Sequence, residues 1–258
     1  VKTAAMLTTL TLAVLILRVV LGSGGEMREA AGPPVPQPAP DAVMPPLDPP
    51  DPAGPFAKGD DPNRAEVAAR ALKPILTKQL TAAGLRYGDP VFIRVFKEEG
   101  VLELWIRQPG KATYQLFRSY PIAAWSGRLG PKLAEGDMQA PEGFYFVPAK
   151  MMNPLSTYHL SFNLGFPNAY DRAHGRTGSA LMIHGSFVSV GCYAMTDPGV
   201  EQIYTLCDAA LENGQPYFRV HCFPFRMTAE RMIAASDSKW HPFWHNLKEG
   251  YDRFETTR

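Results

Sequence analysis

His184 and Cys192 stand eight residues apart in the stretch IHGSFVSVGCYAMTD, residues 183–197, with Ser186 and Ser189 between them. A cysteine attacks as its thiolate, and an unperturbed thiol is only a few per cent ionised near neutrality, so a neighbouring imidazole is the usual activator. Gly185 and Gly191 permit backbone conformations that a Cβ obstructs. The chemistry such a pair supports is acyl transfer. Cys192 attacks an amide carbonyl, His184 takes the thiol proton and returns one to the leaving amine, and the thioester passes to an acceptor. In a glycine-rich turn the backbone N–H groups of Gly191 and Cys192 are the expected oxyanion donors. Residue types alone leave a second reading open, in which His184 is a structural histidine and Cys192 a small buried hydrophobe.

The pair must be held by the segments around it. Residues 180–183 read as a short apolar strand that delivers His184 at its end, where a ladder fixes the backbone. Asp197 and Pro198 predict a helix start, with the carboxylate as cap, running to about Asn213 and Gly214. Upstream, FPNAYDRAHGRTGSALM places Tyr170, Arg172, His174 and Arg176 on a polar loop. Strand patterns occupy residues 91–96, 101–107, 113–120, 157–164 and 217–223, and EEG and QPGKA read as hairpin turns. A glycine- and charge-rich loop over residues 127–147 leads into a further strand. Residues 64–83 predict a helix that Pro74 should kink or divide. In the tail, Trp240, Phe243, Trp244, Leu247, Tyr251 and Phe254 form the stripe of an amphipathic helix that docks on the domain.

The chain has 258 residues, is 45% hydrophobic and carries a formal net charge of +1, enough apolar content for a core and too little basic excess for nucleic acid to be the main partner. Residues 4–17 form an apolar run followed by Arg18 and by Gly22 and Gly24, which reads as a secretory signal peptide or an N-terminal membrane anchor. Twelve of the 25 prolines fall within residues 33–62, a spacer that cannot pack a core and could reach about 90 Å at roughly 3 Å per residue. Three cysteines leave at least one free thiol; Cys207 and Cys222 could pair or could each be buried hydrophobes. No spacing suggests a metal site, and no cofactor is expected.

The segment around the pair resembles the active-site motif of the L,D-transpeptidase (YkuD-type) family, which joins an HG-x base to an S-x-G-C nucleophile. The resemblance is strongest to the YafK-like subgroup and covers roughly residues 64–255, through VFIRVFKEE, YPIAAWSGRLGPKLAEGDMQAPEGFY, FPNAYDRAHGRTGSALMIHGSFVSVGCYAMTD, FPFRMT and FWHNLKEGYDRFE. It implies a mainly β catalytic domain with flanking α-helices, on the periplasmic side, working on diaminopimelate-containing peptidoglycan stem peptides through a cysteine thioester. Carried onto this chain, Cys192 is the nucleophile, His184 the base, and Gly191 with Cys192 the oxyanion donors. Ser186 or Ser189 orients the imidazole, while Arg172, His174 and Arg176, with Gly185 beside them, contact the peptide and its carboxylates.

The family's usual S-H-G-C-I-R is altered here, with Val190 in place of the histidine and Ala194 in place of the arginine. The YafK-like subgroup shares these changes and is associated with cutting the amide between diaminopimelate and a lysine of a wall-attached outer-membrane lipoprotein. Hydrolysis of that amide is therefore the leading expectation. Crosslinking transpeptidation and a non-catalytic peptidoglycan-binding module are the alternatives. The expected organisation is a signal or anchor at 1–25, a linker at 26–63, a helical segment at 64–88, the catalytic domain at 89–228 and a helical extension at 229–258. Contact with a membrane is expected only through the N-terminal segment.

Overall fold

VFIRVF and VLELWIR flank a turn closed by Gly100, whose φ of +61° suits a residue without a Cβ. In the computed structural model, which describes residues 63–258, they pair as the antiparallel strands β1 (Val91–Phe96) and β2 (Val101–Arg107). The remaining strands are β3 (Tyr114–Pro121), β4 (Ala124–Trp125), β5 (Gly143–Val147), β6 (Met152–Asn153), β7 (Ser161–Asn163), β8 (Met182–His184), β9 (Tyr193–Ala194) and β10 (Phe218–Phe223). The helices are α1 (Arg64–Ala82), α2 (Ala169–Ala173), α3 (Asp197–Glu212), α4 (Ala229–Ala234) and α5 (His241–Thr257). The apolar N-terminal run and the proline-rich segment to residue 62 lie outside the described residues.

The fold is mainly β with flanking helices, built on two mixed five-stranded sheets. The first has the order β3-β2-β1-β10-β5, and the second β4-β9-β8-β7-β6. Each contains one parallel pair, β1 with β10 and β8 with β9. The main core lies between the sheets: Ile93, Val95, Leu104 and Val220 of the first meet Phe162, Ile183 and Tyr193 of the second, together with α1 and α3.

Strand β1 is buried on both faces, so it reads as an almost continuous apolar run. Its outer face is covered by α5, whose stripe Phe243, Trp244, Leu247, Tyr251 and Phe254 is buried as the periodicity predicts. Arg94, in the middle of that strand, is 1% exposed. Its guanidinium lies 4.7 Å from the ring centres of both Tyr251 and Phe254, and Nη1 donates to the Glu255 carboxylate at 2.7 Å, which offsets part of its lost hydration while Nε and Nη2 have no hydrogen-bond partner.

Helix α1 continues through Pro74 instead of dividing there. Pro74 removes one backbone donor, but Ala68, Leu72, Leu76 and Leu80 recur every fourth residue along the buried side, and burial of each leucine contributes about 1.5–3 kcal/mol. That packing outweighs the lost bond. Cys207 and Cys222 are separate, buried and unpaired, so they act as small core residues.

Three local expectations are corrected. The strand predicted over 157–164 shortens to β7, because His159 takes a φ of +69° and breaks the extended run. The polar loop around Tyr170 contains α2, opened by a capping box between Asn168 and Asp171. Helix α3 is capped by Thr196, whose hydroxyl accepts from Gly199 N–H, leaving the Asp197 carboxylate for another task.

Candidate active site

Parallel pairing sets Ile183 opposite Tyr193 and His184 opposite Ala194. Because side chains alternate along a strand, His184, Ala194 and Cys192, just before β9, fall on one face of the second sheet. Two bonds close the base of the excursion between them: Met195 N–H donates to His184 O at 2.8 Å and Thr196 N–H to Ser186 O at 2.9 Å. The Asp197 carboxylate accepts the Ser186 N–H at 2.7 Å and holds that residue at a φ of +63°.

Gly185 is needed at this point for space. A Cβ there would lie 2.5 Å from Asp197 Oδ1 and 2.8 Å from Tyr158 O. Its N–H donates to Tyr158 O at 3.0 Å, and the Tyr158 ring stacks on the His184 imidazole with centroids 4.7 Å apart. The neighbouring His159 is bound to the buried Glu201 of α3 at 2.6 Å, so α3 anchors the loop that lays Tyr158 over the base.

The imidazole has a defined tautomer. His184 Nδ1 lies 2.5 Å from the Gly185 carbonyl oxygen, and a carbonyl only accepts, so Nδ1 carries the proton and Nε2 keeps the lone pair. Burial pulls the His184 pKa below its ordinary value, against the opposing pull of that carbonyl, and keeps the ring neutral. This is the state a general base requires. Backbone carbonyl Gly185 O, and not a serine, therefore orients the imidazole.

Both serines have other duties. Ser189 Oγ donates to Cys192 O at 2.7 Å and accepts from Gly191 N–H at 3.2 Å. Its single proton is thereby used, so Ser126 is the donor in the 3.2 Å contact between the two hydroxyls. Ser189 thus shapes the turn at Cys192. Gly191 sits at a φ of +136°, where a Cβ would also approach Leu181 Cδ1 to 3.2 Å. Since its N–H is engaged by Ser189, Gly191 is not a free oxyanion donor in this state.

The thiol itself is partly exposed. Sγ accepts the Met182 N–H at 3.4 Å and donates to Ala180 O at 3.6 Å; it makes no hydrogen bond to His184 among the described residues. Burial pushes its pKa up, opposed by the Met182 N–H and by the positive charge of Lys132. Burial therefore favours the neutral thiol and the neutral imidazole in this structure. Lys132, 3% exposed and held by Asp137 at 2.6 Å, is the cation nearest in effect to the thiol. Its sequence context, a loop rich in glycine and charge, gave no spacing that marks it.

The residues expected to grip peptide carboxylates separate. Arg176 is buried, its guanidinium bonded to Asp171 at 2.7 Å and set over the Phe243 ring at 4.6 Å. It braces α2 against α5, so its charge is already matched. Arg172 and His174 are exposed; Arg172 donates to Pro167 O, and His174 bonds Tyr170 O at 2.9 Å and stacks on that ring. None of the three is hydrogen-bonded to His184 or Cys192 among the described residues. Val190 is 70% exposed, whereas Ala194 is fully buried opposite His184. Neither position offers a charged group near the thiol.

Residues 90–220 match the family described as YkuD, L,D-transpeptidase catalytic domain. Over 171 residues the chain is 50% identical to "Putative L,D-transpeptidase YafK" of Escherichia coli K12, covering 66% of this chain and 69% of that protein, and the same figures hold for its counterpart in Escherichia coli O157:H7. Among solved structures, the helical cell shape determining protein Pgp2 (K307A mutant) of Campylobacter jejuni aligns at 21% identity with a TM-score of 0.43, over 70% of this chain and 62% of its own. Bd1075 of Bdellovibrio bacteriovorus aligns at 23% identity with a TM-score of 0.37, over 53% of this chain and 48% of its own. The chain thus spans less than two thirds of either structure.

Proposed function

This chain belongs to the YkuD L,D-transpeptidase catalytic domain family, cysteine enzymes of peptidoglycan, and from that premise we propose that it hydrolyses a diaminopimelate amide in the periplasm through a thioester on Cys192. The observation that carries the reading is the His184 tautomer: Nδ1–H is spent on Gly185 O, and Nε2 is left to accept the thiol proton on the sheet face shared with Cys192.

Cys192 transfers its proton to His184 Nε2 and attacks the carbonyl carbon of the amide. The tetrahedral intermediate collapses as His184 returns the proton to the departing amine, giving a free amine and a thioester. Water then attacks the thioester with His184 again as base, releasing the carboxylate and restoring the thiol. In the substrate we favour, the departing amine is a lysine side chain of an outer-membrane lipoprotein attached to the wall. Val190 and the buried Ala194 support hydrolysis, because the family's histidine and arginine are missing beside the thiol and an incoming amine-bearing stem peptide loses those contacts.

Transpeptidation uses the same thioester with an amine in place of water, and it is the second reading. Incubation with muropeptides carrying a lysine-linked peptide on diaminopimelate separates them. Free muropeptide supports the hydrolase, and new muropeptide dimers support transpeptidation. No product from folded protein points to a binding module.

A further inference from the structure

The first sheet carries a second cleft, on the face covered by α5 and built from none of the residues around Cys192. Its cavity of about 600 Å³ lies between the ends of β1 and β2, the turn before β10 and the last turns of α5. Arg107, Arg219, Arg253 and Arg258 line it; Arg258 is paired with Glu255 at 3.9 Å, and the other three each lack an ion pair or side-chain hydrogen bond among the described residues. The carboxylate side chain in the lining, Asp89, is already taken by Arg86 at 3.2 Å. Phe92 of β1 pairs with Arg219 on one side and Trp105 on the other, so Arg219 and Arg107, two residues beyond Trp105, stand on the same face of the sheet.

The polar groups that shape the floor are satisfied internally. Gln215 exchanges two bonds with the Val91 backbone at 2.9 Å, and Asn213 donates to Gly88 O at 2.9 Å. The guanidiniums of Arg107, Arg219 and Arg253 are what remain without a carboxylate partner, in contrast to the ion-paired Arg176 and Arg226 elsewhere in the fold. Several like charges held together without counter-charge favour uptake of an anion. A phosphate group, with up to two charges and three acceptor oxygens, suits three guanidiniums lining one cleft better than one carboxylate does.

The cleft also has an apolar end. An adjoining cavity of about 320 Å³ shares Arg219, Arg253, Phe92 and Phe254 with the first and adds Phe144 and Phe146. Phe146, 61% exposed, packs at 5.5 Å against Tyr217, 39% exposed, where the two cavities meet. Large aromatic surface left uncovered beside unpaired cations fits a ligand with a charged head and an apolar body.

We propose that this cleft binds a phosphate-bearing molecule with an apolar portion, at a site separate from Cys192 and independent of the reading of that residue. The phosphate can belong to a lipid headgroup or to a soluble phosphoester, and the test distinguishes them. In an NMR-detected titration of the folded protein, phenyl phosphate should saturate a single site and bind more tightly than inorganic phosphate. The triple variant Arg107→Gln, Arg219→Gln, Arg253→Gln should weaken it by at least about tenfold, since charge-assisted bonds are lost. These side chains are exposed and unbonded, so an unchanged melting temperature verifies that the variant folds. Sedimentation with phosphatidylglycerol vesicles, against phosphatidylcholine vesicles, identifies the source: pelleting that the triple variant abolishes supports the headgroup, and phenyl phosphate binding without pelleting supports a soluble phosphoester. Absence of both, or binding that survives the triple substitution, overturns the proposal; equal affinity for phenyl and inorganic phosphate overturns its apolar half.

Discussion

Gly185→Ala tests how tightly the base is built into its surroundings. The added Cβ would sit 2.5 Å from Asp197 Oδ1, 2.8 Å from Tyr158 O and 3.1 Å from His159 Cβ. The first two are well inside contact distance, and neither is the free end of a flexible chain: Asp197 is held by Ser186 N–H, and Tyr158 O accepts from Gly185 itself. Something must move, and overpacking of this kind costs about 1–3 kcal/mol. For a domain of this size that corresponds to a melting temperature lower by roughly 2–12 °C. Either displacement also shifts the carbonyl and the ring that fix His184, and an error of about 1 Å in a catalytic group lowers turnover about 100-fold. Thermal denaturation followed by circular dichroism, alongside release of muropeptide at a temperature where the variant is folded, measures both effects. A variant with unchanged melting and unchanged turnover would refute the close-approach argument.

Other expectations follow from the same geometry. Because burial holds His184 below the ordinary histidine value of about 6.5, the acid limb of kcat/KM should lie below that pH, as falling pH protonates Nε2; a limb centred above it contradicts a neutral buried base. Alkylation of resting Cys192 by iodoacetamide should accelerate with pH up to an apparent pKa above about 8.5, since burial raises the thiol, and a thiolate already formed at pH 6 would speak against it. Arg176→Ala leaves the buried Asp171 without its ion-pair partner and should cost about 3–5 kcal/mol in urea unfolding, with KM unchanged for whatever protein remains folded. Tyr158→Ala uncovers the imidazole, so its pKa, followed by NMR, should rise toward the ordinary value; no movement means the stack does not control burial.

The sequence made the long elements legible because their patterns are complete in themselves. VFIRVF and VLELWIR carry the branched and aromatic residues of buried strands, and the stripe from Phe243 to Phe254 needs no partner to be read as one helix face. Two-residue strands such as β4 and β9 have no period, and only pairing with their neighbours in the sheet makes them strands. Within the site, the HG and S-x-G-C spacing identified which side chains to watch. Their supports were less visible, because a carbonyl oxygen is present at every residue and nothing in the sequence marks Gly185 O as the one that meets Nδ1. Tyr158 and Lys132 arrive from distant loops. Arg176 reads as part of a polar loop until Asp171 and Phe243 are seen to enclose it.

The central claim is that Cys192 forms the thioester. The direct measurement is release of free muropeptide from a lysine-linked diaminopimelate substrate by wild-type protein and by Cys192→Ala, with the fold of each verified by circular dichroism. The account predicts that the substitution abolishes turnover, and that mass spectrometry of the wild-type protein finds an acyl adduct on Cys192 early in the reaction. Undiminished release by Cys192→Ala would contradict it.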